Sequence, residues 1–160
     1  MDKEEQNKDL KLEKIEIQIK EQMYKAFFDL IDENINSDTP DCIWLTNLFL
    51  EIKMRLLNIV KKDCKIYKKI DTDFDIELFK QMIENKVFHY ESVLNLINNS
   101  FYWILQLQAP VRDEYTNKSK QKILESEPTK IISIFLKELH ICIDYIYEDI
   151  ISYNERISNK

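Results

Sequence analysis

Not one of the 160 residues is glycine, where average usage would supply about eleven. Phosphate-cradling loops, dinucleotide fingerprints, nucleophile elbows and EF-hand loops all need glycine where the backbone takes positive φ or meets a ligand closely. The whole chain is therefore unsuited to that chemistry. Type I′ hairpins, which favour Asn-Gly and Asp-Gly, are disfavoured as well. With three prolines as the other strong punctuation, the composition predicts an all-α fold, a single bundle of about six helices joined by short polar turns.

A chain with 44% apolar and 32% charged residues can bury a sizeable core in one domain. The net charge of -6 weighs against nucleic acid as a partner. Nearly all the cations are lysine; the arginines are Arg55, Arg112 and Arg156. Cys42, Cys64 and Cys142 are odd in number and lack C-x-x-C spacing, which predicts reduced thiols in the cytoplasm and no zinc. No cofactor or metal is expected. The polar start, 1–9, reads as a tail ahead of a helical domain at 10–160, with no signal peptide. No apolar run approaches the roughly 18 residues of a transmembrane segment. Heavy use of Ile, Lys and Asn hints at an AT-rich genome, such as that of a protist, a yeast or a large virus.

Leu12, Ile15, Ile19, Met23, Phe27, Leu30 and Ile31 recur at threes and fours, predicting an amphipathic helix from about Leu10 to Ile35. Ile15-Glu16-Ile17-Gln18-Ile19 alternates as a strand would, but no hairpin partner lies near. Thr39 as N-cap and Pro40 at the first helical position predict a second helix, with the stripe Leu45, Leu48, Ile52, Leu56 and Ile59. Glu51 and Arg55 are spaced to pair on its flank. After Asp71-Thr72-Asp73-Phe74-Asp75, a short helix carries Ile76, Phe79, Met82 and Ile83. Asn85-Lys86-Val87-Phe88 turns into a longer helix carrying Tyr90, Leu94, Ile97, Phe101, Ile104 and Leu107. Its end, Phe101 to Leu105, reads as the most enclosed turn of the fold. Pro110 stops it, a fifth helix starts with Asp113 and Glu114 in its first turn, and Ser126-Glu127-Pro128 precedes the last helix, which runs to about Ile157. That last helix is apolar over much of its girth, making Ile146, Tyr147, Ile150 and Tyr153 a candidate interface with another chain.

No catalytic constellation emerges. His89 follows a turn, and His140 lies beside a core stripe as a structural histidine would. Lysines three residues before each histidine rule out the Glu-x-x-His of di-iron bundles. Asp71, Asp73 and Asp75 read as capping residues rather than a cation loop. Lys61, Lys62, Lys65, Lys68 and Lys69, interleaved with Ile66, Tyr67 and Ile70, read as a solvated helix face. The segment Ala109-Pro110-Val111-Arg112-Asp113-Glu114 stands out instead. Arg112 sits between an enclosed helix end and a carboxylate pair, where its fork suits a bidentate bond that fixes the corner.

The same segment carries a family resemblance. Gln108-Ala109-Pro110-Val111-Arg112-Asp113-Glu114 resembles the Cys-Ala-Pro-(Val/Met)-Arg-Asp-Glu block of the T-complex protein 11 family, with glutamine in place of cysteine. Phe27-Phe28-Asp29 resembles that family's opening helix, Leu48 to Leu57 its Leu-x-Glu-Ile-Lys-x-x-Leu-Leu helix, and Asp75 to Met82 its Asp-x-Glu-Leu-Ile-x-Gln block. The blocks fall in the family's order between about Met23 and Ile150. An Asp-Met-Ala-Asn-like block is replaced by Ile141 to Asp149, so the chain resembles a reduced form holding the amino-terminal part of the family's helical domain.

The resemblance implies a non-enzymatic protein-interaction module. It also implies an association with signalling through cyclic AMP and its kinase, and no established enzymatic activity. A protein partner is expected, with a homo-oligomer as a further possibility. The alternative is a self-assembling structural component, for example of a large-virus particle, using the last helix as its interface.

Overall fold

The structure, a computed structural model, describes residues 2–85 and 90–159. Of the expected turn 85–88, Asn85 ends the fourth helix, while residues 86–88, His89 and the Tyr90 side chain lie outside the described residues. Among the described residues, seven α-helices and a short 3-10 turn follow one another: α1 Lys3–Ile35, α2 Cys42–Leu57, α3 Lys65–Asp73, α4 Ile76–Asn85 and α5 Tyr90–Leu107. Then come the 3-10 turn Pro110–Arg112, α6 Asp113–Leu124 and α7 Ile131–Ser158. The described residues hold no strand, so the all-α expectation is met.

The long α7 is the spine, packing against α1, α2, α5 and α6, while α2 carries α3 and α4 on its other sides. At the centre, Phe49 of α2 stacks on Phe79 at 4.4 Å and lies 5.7 Å from Phe74 and 6.1 Å from Phe135. All four rings are fully buried. Large rings from four segments meeting at one point bring their apolar area and their stacked and tilted ring contacts to the same site.

Local chemistry explains most boundaries. The second helix is capped by Asp41, whose carboxylate accepts from the Trp44 N–H at 3.0 Å, rather than by Thr39. An aspartate outranks threonine as a cap, and it moves the start past Pro40. Cys64 caps α3, a short helix formed by the lysine-rich run, with Ile70 buried on its inner side. Between α2 and α3 the chain must turn sharply without glycine. Asp63 takes the left-handed conformation there, at φ 69°. Aspartate tolerates that region better than most residues.

The three clustered aspartates have separate structural duties. Asp71 pairs with Lys53 at 2.9 Å, Asp73 accepts from the buried Trp103 indole at 2.7 Å, and Asp75 caps α4 through the Leu78 N–H at 3.0 Å. Phe101, Trp103 and Ile104 are buried as expected, but Tyr102 points into solvent.

Two expectations about the longest helices change. The first helix starts at Lys3, so most of the expected tail is its opening turns. Residues 2–23 are all exposed, and Leu12, Ile15, Ile19 and Met23 line a solvent-facing stripe rather than the core. The packed face is a different one, carrying Phe27, Phe28, Ile31 and Ile35. In the last helix, Ile146 is buried and belongs to the core. With four helices around it, α7 spends most of its apolar girth inside this one chain. Tyr147 and Ile150 pack partly against the core, and Tyr153 is exposed near the free end.

Candidate functional site

Two arginines hold α7 from opposite sides. Arg112 ends the 3-10 turn that Pro110 starts, with its N–H bonded to the Ala109 carbonyl at 2.9 Å. That tight turn aims the guanidinium across to α7. There Nε and Nη2 donate to the two carboxylate oxygens of Asp149 at 3.1 and 2.8 Å. The guanidinium also lies over the Tyr145 ring, 4.3 Å from its centroid. The expected bidentate bond is therefore made, but to Asp149 rather than to the neighbouring Asp113 and Glu114. Asp113 is taken by Gln108 and Glu114 by Lys118, while α7 brings both oxygens of Asp149 within reach of the fork.

The neighbours have other tasks. Asp113 accepts from the Gln108 amide at 2.8 Å, and the Gln108 carbonyl oxygen accepts from the Thr116 hydroxyl at 2.7 Å. This small buried network closes the corner between α5 and α6, since each member meets a partner of the correct polarity. Thr116 also approaches the Cys142 sulfur at 3.9 Å, and burial pushes that thiol up to about 12. Such a thiol stays protonated and unreactive. Glu114 pairs with Lys118 on the surface, and Val111 projects into solvent at the tip of the corner.

Arg55 repeats the arrangement from α2. Its guanidinium is 2.8 Å from Asp144 and lies over the Tyr147 ring at 4.7 Å, while the Tyr147 hydroxyl donates to the Arg55 carbonyl at 2.6 Å. Arg55 is thus drawn away from Glu51, the partner its spacing suggested. Asp144 also accepts from the Tyr24 hydroxyl of α1 and lies 3.6 Å from His140 Nε2. Burial and the Asp144 carboxylate push the Tyr24 hydroxyl well above its ordinary range. Burial lowers His140, against the pull of Asp144. A turn away, Lys137 and Ser133 donate to Asp32 of α1. Burial works to raise that carboxyl, but the two donors hold it below the usual range.

Beside this cluster runs an open groove of about 560 Å³, lined by Ile19, Met23, Tyr24 and Phe27 of α1, Glu51 of α2 and His140 of α7. The polar groups at its base are engaged with one another: His140 faces Asp144, which Arg55 and Tyr24 already occupy. What the groove offers a ligand is chiefly apolar surface.

Sequence reasoning found Arg112 but missed Asp144, Asp149, Arg55 and Tyr24. One signal was available. Among cations that are nearly all lysine, an arginine marks a place where a planar fork and a stacking face are needed. Arg55 and Arg112 are such places, and each uses both properties.

The T-complex protein 11 family matches residues 3–154. The human T-complex protein 11 homolog is 30% identical over 105 residues, covering 65% of this chain. The matched stretch spans 20% of the human protein's length. No solved structure matches. With the family match running from the first turn of α1 to the last turns of α7, this chain belongs to the T-complex protein 11 family.

Proposed function

We propose that this chain is a non-catalytic helical protein-interaction module, acting in the cytoplasm in signal transduction of the cyclic AMP and protein kinase A type. The observation that carries the reading is the free half of α1. Leu10, Leu12, Ile15, Ile17, Ile19 and Met23 each expose half or more of their surface along one unsupported helix. Isolated helices gain little stability in water, and contiguous exposed apolar surface of this kind marks an interaction site. The membership of the T-complex protein 11 family supports the signalling direction.

The test compares the chain with its Ile15→Lys/Ile19→Lys variant in cells stimulated to raise cyclic AMP. Both substituted side chains are exposed, so the fold is expected to persist. Altered phosphorylation of kinase substrates by the wild type, lost in the variant together with a captured signalling protein, supports the reading. No change in phosphorylation and no captured protein rejects it. The second reading, a self-assembling structural component, is favoured by the projection of α7 beside α1, with Ile151, Tyr153 and Ile157 exposed. Recovery of large assemblies of the chain alone would select it.

A further inference from the structure

The apolar residues of α1 fall on two faces. Leu10, Ile17, Tyr24 and Ile31 repeat every seven residues along the side that, from Tyr24 onward, packs on α7. Leu12, Ile15, Ile19, Met23, Ala26 and Leu30 repeat at three and four along a second side, turned about 145° from the first by helix geometry. This second stripe is exposed from end to end, including the part of α1 that lies against the body, where Lys25, Ala26, Asp29, Leu30 and Glu33 are all in solvent. Ile19 and Met23 also form the outer wall of the groove beside α2.

Toward the outer end of this stripe the flanks differ in sign, whereas nearer the body Asp29 shares the side of Lys11. Lys11 lies on one side, and Asp9 and Glu16 lie on the other. A stripe with opposite charges on its two flanks is complementary to a parallel copy of itself. In that arrangement Lys11 of each helix meets Glu16 of the other, five residues further on, as flanking pairs do in parallel coiled coils. Ala26 allows close approach at the body end. Covering the 19-residue stripe from Leu12 to Leu30, about 27 Å long, on both copies removes on the order of 1,200 Å² from water, which reaches the range of stable interfaces.

We propose that α1 pairs in parallel with α1 of a second copy through Leu12, Ile15, Ile19, Met23 and Leu30, making the protein a two-fold dimer. This rests on the reading of α1 as an interaction surface and names what covers its outer stripe. The symmetry is closed, so pairing stops at two and presents two bodies side by side.

Light scattering of the full chain over a dilution series, with circular dichroism as a fold control, tests it. The wild type is expected at twice the chain mass, and Ile15→Lys/Ile19→Lys at the chain mass with unchanged helicity. Lys11→Glu is expected to weaken the dimer several-fold, and Lys11→Glu combined with Glu16→Lys to restore it. A wild type that stays monomeric, a dimer indifferent to the stripe substitutions, or no rescue by the charge exchange overturns the pairing. A monomer that still captures another protein through the stripe overturns the pairing alone. A monomer that captures nothing overturns the interaction reading with it.

Discussion

Arg112 grips both carboxylate oxygens of Asp149 across 37 positions of sequence, and the same guanidinium rests on the face of Tyr145. The pair ties the corner between α5 and α6 to the spine helix. Its side chains keep 28% of their surface exposed, so solvent weakens the ion pair relative to a fully buried one. Arg112→Ala is expected to cost about 1–2 kcal/mol, combining lost charge-assisted bonds with lost stacking. Arg112→Lys should recover under half of that, because a lysine brings neither the fork nor the planar face. Urea melts of both variants and of Asp149→Ala, arranged as a double-mutant cycle, measure the coupling. A lysine variant equal to wild type would show that charge alone suffices.

Ile146 lies in the core and Tyr153 in solvent, two turns apart on one helix. Ile146→Asp buries a carboxylate with no partner and should unfold the protein or cost more than about 4 kcal/mol. Tyr153→Asp should change the melting temperature little. Thermal melts followed by circular dichroism separate the two, and an undisturbed Ile146→Asp protein would contradict the packing of α7.

Acid should destabilise the protein in two steps. Burial depresses His140, so below the ordinary histidine value of about 6.5 the unfolded chain takes up the proton first. Stability from this group is complete above that value and declines as pH falls through the folded one. The surrounding charges, Glu51 and Arg55 of α2 and Asp144 of α7, partly offset one another. The Asp149 carboxyl is held down by its bonds from Arg112, and Asp32 by Lys137 and Ser133 against burial. Their contribution is present above the unfolded carboxylate range and lost below it, near pH 4 and under. Urea midpoints measured across this range should show both declines, and His140→Gln should abolish the upper one alone.

Thr46 has its hydroxyl oxygen buried with no hydrogen-bond partner among the described residues. Replacing it by valine keeps the shape and removes the unsatisfied group. Thr46→Val is expected to raise stability by about 1 kcal/mol. A destabilised variant would mean the hydroxyl is satisfied in solution.

Helix content and order were legible because the apolar spacing and the missing glycine point the same way. The alternating Ile15-Glu16-Ile17-Gln18-Ile19 shows where spacing alone ran short. On a helix, Ile15 and Ile19 share one face and Ile17 takes another, so what resembles a strand is two apolar sides of one helix. Which side the body covers depends on α7, more than a hundred residues away. Arg112 was recognisable from its place at a corner, but its partner was not, since only the crossing of α7 brings Asp149 to it. Helix α3 was partly hidden because its capping group is the sulfur of Cys64 and its start lies among lysines. Asp63 shows how a glycine-free chain makes a sharp turn, and no local motif announces it.

The free half of α1 also governs how the molecule moves through water. At the helical rise, the 20 or so residues before Tyr24 reach about 30 Å, against a radius of gyration near 15 Å expected for a round domain of this length. Friction follows reach more than mass in so lopsided a body. The protein will tumble slowly and leave a sizing column early even as a single chain, and apparent size by elution will overstate how many copies travel together.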